Sequence, residues 1–262
     1  MDLGLKDRVA LVTGASRGLG RAAAEAFAAE GASLAICSHT PAINTAADEI
    51  RGKFGRTVMA MQADIGQQAD VDRFVAAAVE AWGRIDILVI NGGGPKPGPF
   101  LEVKVEDWEA AVRLALMSSV YLCYAVVPHM LRQKSGSIVA SQSYSVKQPI
   151  ENLVLSNSVR VAVVGLMKSL ANELGPKGIR VNSIHPGWTA TERVVHLFED
   201  RARRAGTTPE GEAEKIIRSV PLGRLATVEE YGRTVAWLAS PAASFVHGHG
   251  LFLEGGIVQA AL

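Results

Sequence analysis

The stretch that most constrains the fold is residues 8–31, RVALVTGASRGLGRAAAEAFAAEG. An apolar run too short for a helix, RVALV at 8–12, passes through a glycine-rich turn into an amphipathic helical pattern. A strand that feeds a helix through so tight a turn begins a βαβ unit, and the next strand then lies parallel to the first. The alternation continues along the chain: SLAIC (33–37), TVMAMQ (57–62), IDILVI (85–90), GSIVAS (136–141), IRVNSI (179–184) and GLFLE (250–254) complete seven strands. Several are continuously apolar, as parallel strands covered on both faces must be. Helical periodicity fills the intervals near 18–30, 41–53, 67–82, 104–133, 153–175 and 227–239. The expected fold class is α/β: a doubly wound parallel seven-stranded sheet in a single domain, 1–262.

One segment breaks the alternation. Residues 192–220, ERVVHLFEDRARRAGTTPEGEAEKIIRSV, are charged and helical and leave from the carboxyl end of the sixth strand. Ligands of open α/β sheets bind beyond those ends, so the insertion is expected to be a lid. With 48% apolar residues, 262 positions suffice for one large core. A net charge of +1 with interspersed signs gives no reason to expect nucleic acid or a membrane as partner. No signal peptide is expected in MDLGLKDRVALVTGAS, and no unbroken apolar run reaches the roughly 18–20 residues of a membrane span. Cys37 and Cys123 sit in apolar runs without metal-type spacing and read as reduced core residues, which predicts a cytoplasmic protein.

The turn TGASRGLG (13–20) is the first site with chemistry. Gly14, Gly18 and Gly20, with Ser16 and Leu19 between and beside them, permit a tight turn and close backbone approach. The helix behind them offers free N–H groups and a positive dipole end to a pyrophosphate. An acidic residue closing the second strand would select NAD(H) by binding the ribose hydroxyls. This chain has Cys37, Ser38 and His39 there, and Arg17 in the turn can add charge beside a 2′-phosphate, so NADP(H) is expected over NAD(H).

Together with TGASRGLG, several further pieces give a specific pattern: Asp64 and Ile65 in QADIGQ, Asn91, Gly92 and Gly93 in NGG, GSIVASQS (136–143), GIRVNSIHPGWTAT (178–191), PLGR (221–224) and EGG (254–256). In these the chain resembles the short-chain dehydrogenase/reductase family almost end to end, nearest to bacterial reductases of the 3-oxoacyl-carrier-protein type. The resemblance implies a Rossmann-type sheet with NAD(P) across its carboxyl edge. It implies Asp64 on the adenine side, Asn91 tying off the fourth strand and Thr191 near the pyrophosphate. The segment Pro186, Gly187 and Thr189 is implied at the nicotinamide carboxamide.

The family's four catalytic positions match at one point only. The carbonyl-polarising serine falls on Ser143, but the tyrosine slot holds Ser156, the lysine slot Arg160 and the asparagine slot Ala115. A phenol near pKa 10 is a usable acid, whereas a serine hydroxyl is much weaker and far shorter. Arginine keeps a positive charge able to hold a ribose, but with a pKa above about 12 it does not relay protons. Three readings stay open: carbonyl/secondary alcohol oxidoreduction with a displaced proton donor, non-redox chemistry of the lyase or hydrolase kind, and a cofactor-binding pseudoenzyme. For the first, Tyr144 and Lys147 in SYSVKQPIEN supply a phenol and an ammonium beside the site. The loop NGGGPKPGPF (91–100), rich in glycine and proline, is expected to wall a pocket for a small-molecule substrate.

The lid carries His196, Arg201, Arg203 and Arg204, which read as a solvated face, and His247 and His249 lack the partners of a metal site. Helix 153–174 is apolar on more than one face, from Leu155 and Val159 to Val161, Val164 and Leu170. Burial against both the sheet and another subunit accounts for that, and a homo-oligomer, dimer or tetramer, is expected.

Overall fold

The computed structural model describes residues 1–261. Its strands are β1 (Val9–Thr13), β2 (Ser33–Ser38), β3 (Val58–Gln62), β4 (Ile87–Ile90), β5 (Gly136–Ser141), β6 (Ile179–Pro186) and β7 (Gly250–Leu253). They form one parallel sheet in the order β3-β2-β1-β4-β5-β6-β7. All five residues of β1 and all four of β4 are buried, which is why these strands read as unbroken apolar runs. The chain winds outward from β1 to β3, then returns to place β4 on the other side of β1. The carboxyl ends of β1 and β4 therefore flank the point where the winding reverses, and a crevice opens there.

The helices are α1 (Gly18–Ala29), α2 (Ala42–Phe54), α3 (Gln68–Trp82), α4 (Val105–Ala111), α5 (Ser118–Gln133), α6 (Val154–Leu174), α7 (Glu192–Ala205), α8 (Pro209–Ser219) and α9 (Val228–Ala239). One face of the sheet is covered by α1, α2 and α9, around Phe27, Ile43 and Tyr231. The other is covered by α3, α5 and α6, around Phe74, Leu122 and Met167. Helices α1 and α9 approach so closely that a Cβ on Gly232 would stand 2.4 Å from the carbonyl oxygen of Ala22. The insertion 192–220 is a helical pair, α7 and α8, with its own small apolar cluster that includes Trp188, Val194 and Phe198.

Two features differ from expectation. The single helix expected over 104–133 is interrupted by a π turn at Val112–Met117. Ser118 and Ser119 back-bond there, donating their hydroxyls to the carbonyls of Leu114 (2.6 Å) and Ala115 (2.8 Å). Second, Val105–Gln133 and Val154–Lys177 are long and apolar enough to cross a membrane by length and composition alone. In the fold each lays one side on the sheet, with Val126 and Met130 of α5 and Val163 and Met167 of α6 in the core.

Candidate functional site

The carboxyl ends of β1, β4, β5 and β6 open into one cleft of about 890 Å³, with the first turn of α7 on its far wall. Most residues expected at a site meet here: Gly14, Ser16, Arg17, Gly18, Leu19, Ser38, His39, Asn91, Gly92 and Gly93 from the first half of the chain. Ser143, Tyr144, Ser156, Arg160, Pro186, Gly187, Thr189 and Thr191 join them from the second half. Asp64, Ile65 and Lys147 are not part of the lining. Asp64 accepts the Gly66 N–H at 2.9 Å and Ile65 is in the core. Lys147 turns its ammonium over the Phe252 ring, 5.4 Å from the centroid, so the structure does not bring it to the cleft.

At one end of the cleft the glycine turn is held by Asn91. Its side-chain amide donates to the carbonyls of Thr13 (3.2 Å) and Gly14 (3.3 Å), and the Thr13 hydroxyl and Asn91 backbone complete the tie between β1 and β4. Gly14 has φ +60, and a Cβ on it would stand 2.8 Å from the Asn91 carbonyl oxygen. Gly20 lies behind the lining, where a Cβ would meet the Gly14 carbonyl oxygen at 2.3 Å. The N-cap of α1 is Arg17, which makes no side-chain capping bond, and the first turn has no acidic residue. The opening N–H groups thus face the cleft without an internal anion. Ser38 caps its own turn by bonding Thr40, and no carboxylate stands at the end of β2. Arg17 reaches across to Glu192 of α7 at 2.5 Å, an exposed pair that ties the turn to the lid. Thr191 caps α7, accepting the Val194 N–H at 3.4 Å, and its methyl lies 3.6 Å from where a Gly18 Cβ would be. A cradle that any Cβ would fill, uncapped N–H groups and a flanking arginine fit a dinucleotide with an extra phosphate.

At the other end the tyrosine and lysine slots hold each other. Arg160 donates from Nε to the Ser156 hydroxyl at 3.0 Å, and its Nη1 reaches the carbonyls of Gln142 (3.2 Å) and Ser141 (3.4 Å). Burial, and then the charge of Arg193, bring the Arg160 guanidinium down to about 10, so it is still protonated at neutral pH. Ala115 packs with Leu155 and Val159 in an apolar cluster, and its carbonyl is taken by Ser119. His185 is buried at the end of β6 beside Phe252 and bonded to Ser183 at 3.1 Å, outside the cleft lining.

Ser143 and Tyr144 begin the turn after β5. The Ser143 oxygen accepts the Ser145 N–H at 3.1 Å, which leaves its own hydrogen available. The Tyr144 phenol oxygen accepts the indole N–H of Trp188 at 2.9 Å, its one hydrogen bond among the described residues, and donates to none of them. Burial raises the phenol above its ordinary value of 10, partly offset by the bond from Trp188. Trp188 stacks on Phe198 of the lid with ring centroids 5.5 Å apart, so the lid helps to fix the phenol.

Several lining residues were not singled out by the sequence, Gln142, Trp188 and Arg193 among them. Of the basic lid residues singled out in the sequence only His196 lines the cleft. Arg203 and Arg204 pair with Asp200, and Arg201 lies over Trp188. Arg193 instead reaches the pocket wall, donating to the Pro95 carbonyl at 2.7 Å. Its position two residues beyond Thr191 was the available signal.

Residues 14–258 match the sequence family described as enoyl-(acyl carrier protein) reductase. A 3-oxoacyl-[acyl-carrier-protein] reductase of Synechocystis sp. is 34% identical over 260 residues, covering 97% of this chain and 98% of its own. The structure of L-sorbose reductase from Gluconobacter frateurii, complexed with NADPH and L-sorbose, superposes with a TM-score of 0.94 at 30% identity, covering 99% of this chain and all of its own. An NADPH-bound short-chain oxidoreductase from Pseudomonas aeruginosa, described as containing an atypical catalytic center, gives a TM-score of 0.89 at 30% identity. It covers 98% of this chain and 100% of its own.

Proposed function

The chain belongs to the short-chain dehydrogenase/reductase family, and from that premise we propose that it is an NADP(H)-dependent oxidoreductase of a carbonyl compound in which Tyr144 gives the proton. The observation that supports this reading is that Tyr144, a lining residue of the cleft, accepts a hydrogen bond at its phenol oxygen without donating one among the described residues, next to a Ser143 hydroxyl equally free to donate. Gly14 and Gly18 would receive the pyrophosphate with Thr191, on a turn that Gly20 lets pack closely from behind, and Arg17 would face the 2′-phosphate. Arg160 would stand near the nicotinamide ribose. When bound, the dinucleotide supplies the hydride.

The chain's own residues then do the remaining work. Ser143 donates a hydrogen bond to the carbonyl oxygen and polarises it. Tyr144 passes its phenolic proton to that oxygen as negative charge develops there, and the Trp188 N–H steadies the phenolate left behind. Burial raises the phenol and so weakens it as an acid, which makes the Trp188 N–H that stabilises the phenolate part of the proposed proton transfer. Arg160, held by Ser156 and the Ser141 and Gln142 carbonyls, would contribute positive charge and hydrogen bonds.

A homo-oligomer is part of the proposal, supported by exposed Tyr124 on α5 and Val161 on α6. The two buried free cysteines support a cytoplasmic setting. The mutual bond of Ser156 and Arg160 favours a second reading, a cofactor-binding pseudoenzyme whose catalytic slots have become structural.

The test is an NADPH fluorescence titration followed by a carbonyl panel scored by NADPH absorbance. Saturable binding with turnover of at least one carbonyl supports the first reading, and Ser143→Ala is expected to lower kcat by about tenfold or more. Saturable binding with no turnover favours the pseudoenzyme, and no binding up to millimolar NADPH refutes both.

A further inference from the structure

Two of the guanidinium groups that line the cleft, those of Arg160 and Arg193, have no anion to match. Arg160 bonds only to a hydroxyl and to carbonyl oxygens. Arg193 donates only to the Pro95 carbonyl, and its Nη2 lies 3.0 Å from where a Gly94 Cβ would be. Among the described residues neither forms an ion pair. Asp200, the one carboxylate whose charge bears on Arg193, is already held by Arg203 and Arg204. Elsewhere along the cleft Arg17 has Glu192, and Arg21 and Lys53 have Glu25, while Arg233 on α9 also forms no ion pair among the described residues.

The cleft that Arg193 lines also has apolar wall residues. Tyr144, Ile150, Leu153, Trp188, Val194 and Leu197 line the same cleft and present hydrocarbon or aromatic surface. An arginine on such a wall is open to water while the cleft is open. Once a ligand fills the cleft, its charge loses hydration and costs free energy unless the ligand brings an anion. Like-charge repulsion with Arg160 adds to that demand. A ligand with an apolar body and one carboxylate meets both conditions, through a charge-assisted bond to a guanidinium that matches carboxylate geometry.

We infer that Arg193 is a specificity-determining residue that binds a carboxylate on the substrate, so that the chain acts on an amphipathic carboxylate-bearing carbonyl compound. This rests on the oxidoreductase reading above and narrows its substrate class. The competing source of an oxyanion is a phosphate of the dinucleotide itself. The glycine turn and α1 already provide for that phosphate, whereas the Arg193 guanidinium lies against Gly94 and Pro95 beyond β4.

Calorimetric titration of octanoate and of octan-1-ol, with the chain free and NADP+-saturated, tests the inference. Octanoate is expected to bind about tenfold tighter than the alcohol or better. Arg193→Gln should erase that margin, Arg193→Lys should keep part of it, and both should hold NADPH within about twofold of the unaltered chain. Equal binding of acid and alcohol, or a margin that survives Arg193→Gln, overturns the inference. So does an Arg193→Gln variant that loses NADPH affinity by a similar factor, since the guanidinium then serves the cofactor. Failure of NADPH to bind the unaltered chain removes the oxidoreductase reading instead, and octanoate binding to the free chain still decides the anion site.

Discussion

At position 156 a serine accepts the guanidinium of Arg160, and this pairing explains why two unusual residues coexist one helical turn apart. A tyrosine there would need the space and the partners that Arg160 now uses at Ser141 and Gln142. Restoring tyrosine alone, as Ser156→Tyr, should destabilise the fold by about 1–3 kcal/mol through overpacking, read from urea midpoints. The identities of the slots were plain in the sequence, because each could be counted from Ser143. Their mutual bond was not, since a hydrogen bond between i and i+4 side chains depends on how each rotamer packs. The prospect for Lys147 failed for a related reason: its long stem found the Phe252 ring rather than the cleft. His185 carries a separate prediction. Burial, with His249 and Arg160 nearby, lowers its imidazole to about 4 from 6.5. The unfolded chain binds that proton at a higher pH than the folded chain, so stability falls as pH drops from 6.5 towards 4. The loss should reach about 3 kcal/mol between pH 7 and 4, and His185→Gln should flatten this part of the denaturation profile.

The elements that position the site follow from patterns the sequence displays openly. Short apolar runs became buried parallel strands, and the glycine turn became a cradle closed by Asn91. Gly20→Ala should therefore weaken NADPH binding by at least about tenfold, because its Cβ meets the Gly14 carbonyl at 2.3 Å and the turn must move. The π turn at Val112–Met117 was not legible, because its apolar periodicity resembles that of an ordinary helix. Ser118 and Ser119, which bond back onto it, are common helix residues and give no warning. The lid was visible as a charged insertion, but not which of its arginines turn inward. That depends on α7 starting at Thr191 and tilting Arg193 towards Pro95. Arg17 links lid and turn through Glu192, and the same arginine is expected to read the 2′-phosphate. Arg17→Ala should cut the preference for NADPH over NADH by about tenfold in paired titrations.

For the whole molecule, the outer faces of α5 and α6 remain apolar where the sheet does not cover them, with Tyr124 77% and Val161 48% exposed. A homo-oligomer joined through these helices is expected, and Tyr124→Arg should shift light-scattering mass to a smaller species without loss of secondary structure. The fold, the nucleotide cradle and the missing acid relay all lie in one crevice, at the reversal between β1 and β4. In the proposed function this crevice still reduces a carbonyl, with the proton given by Tyr144 rather than by position 156. Single-turnover oxidation of NADPH by a carbonyl substrate, compared between the unaltered chain and Tyr144→Phe, tests it most directly. A fall of about 100-fold in the chemical step is expected, with NADPH affinity unchanged. A Tyr144→Phe chain that turns over as fast as the unaltered one would contradict it.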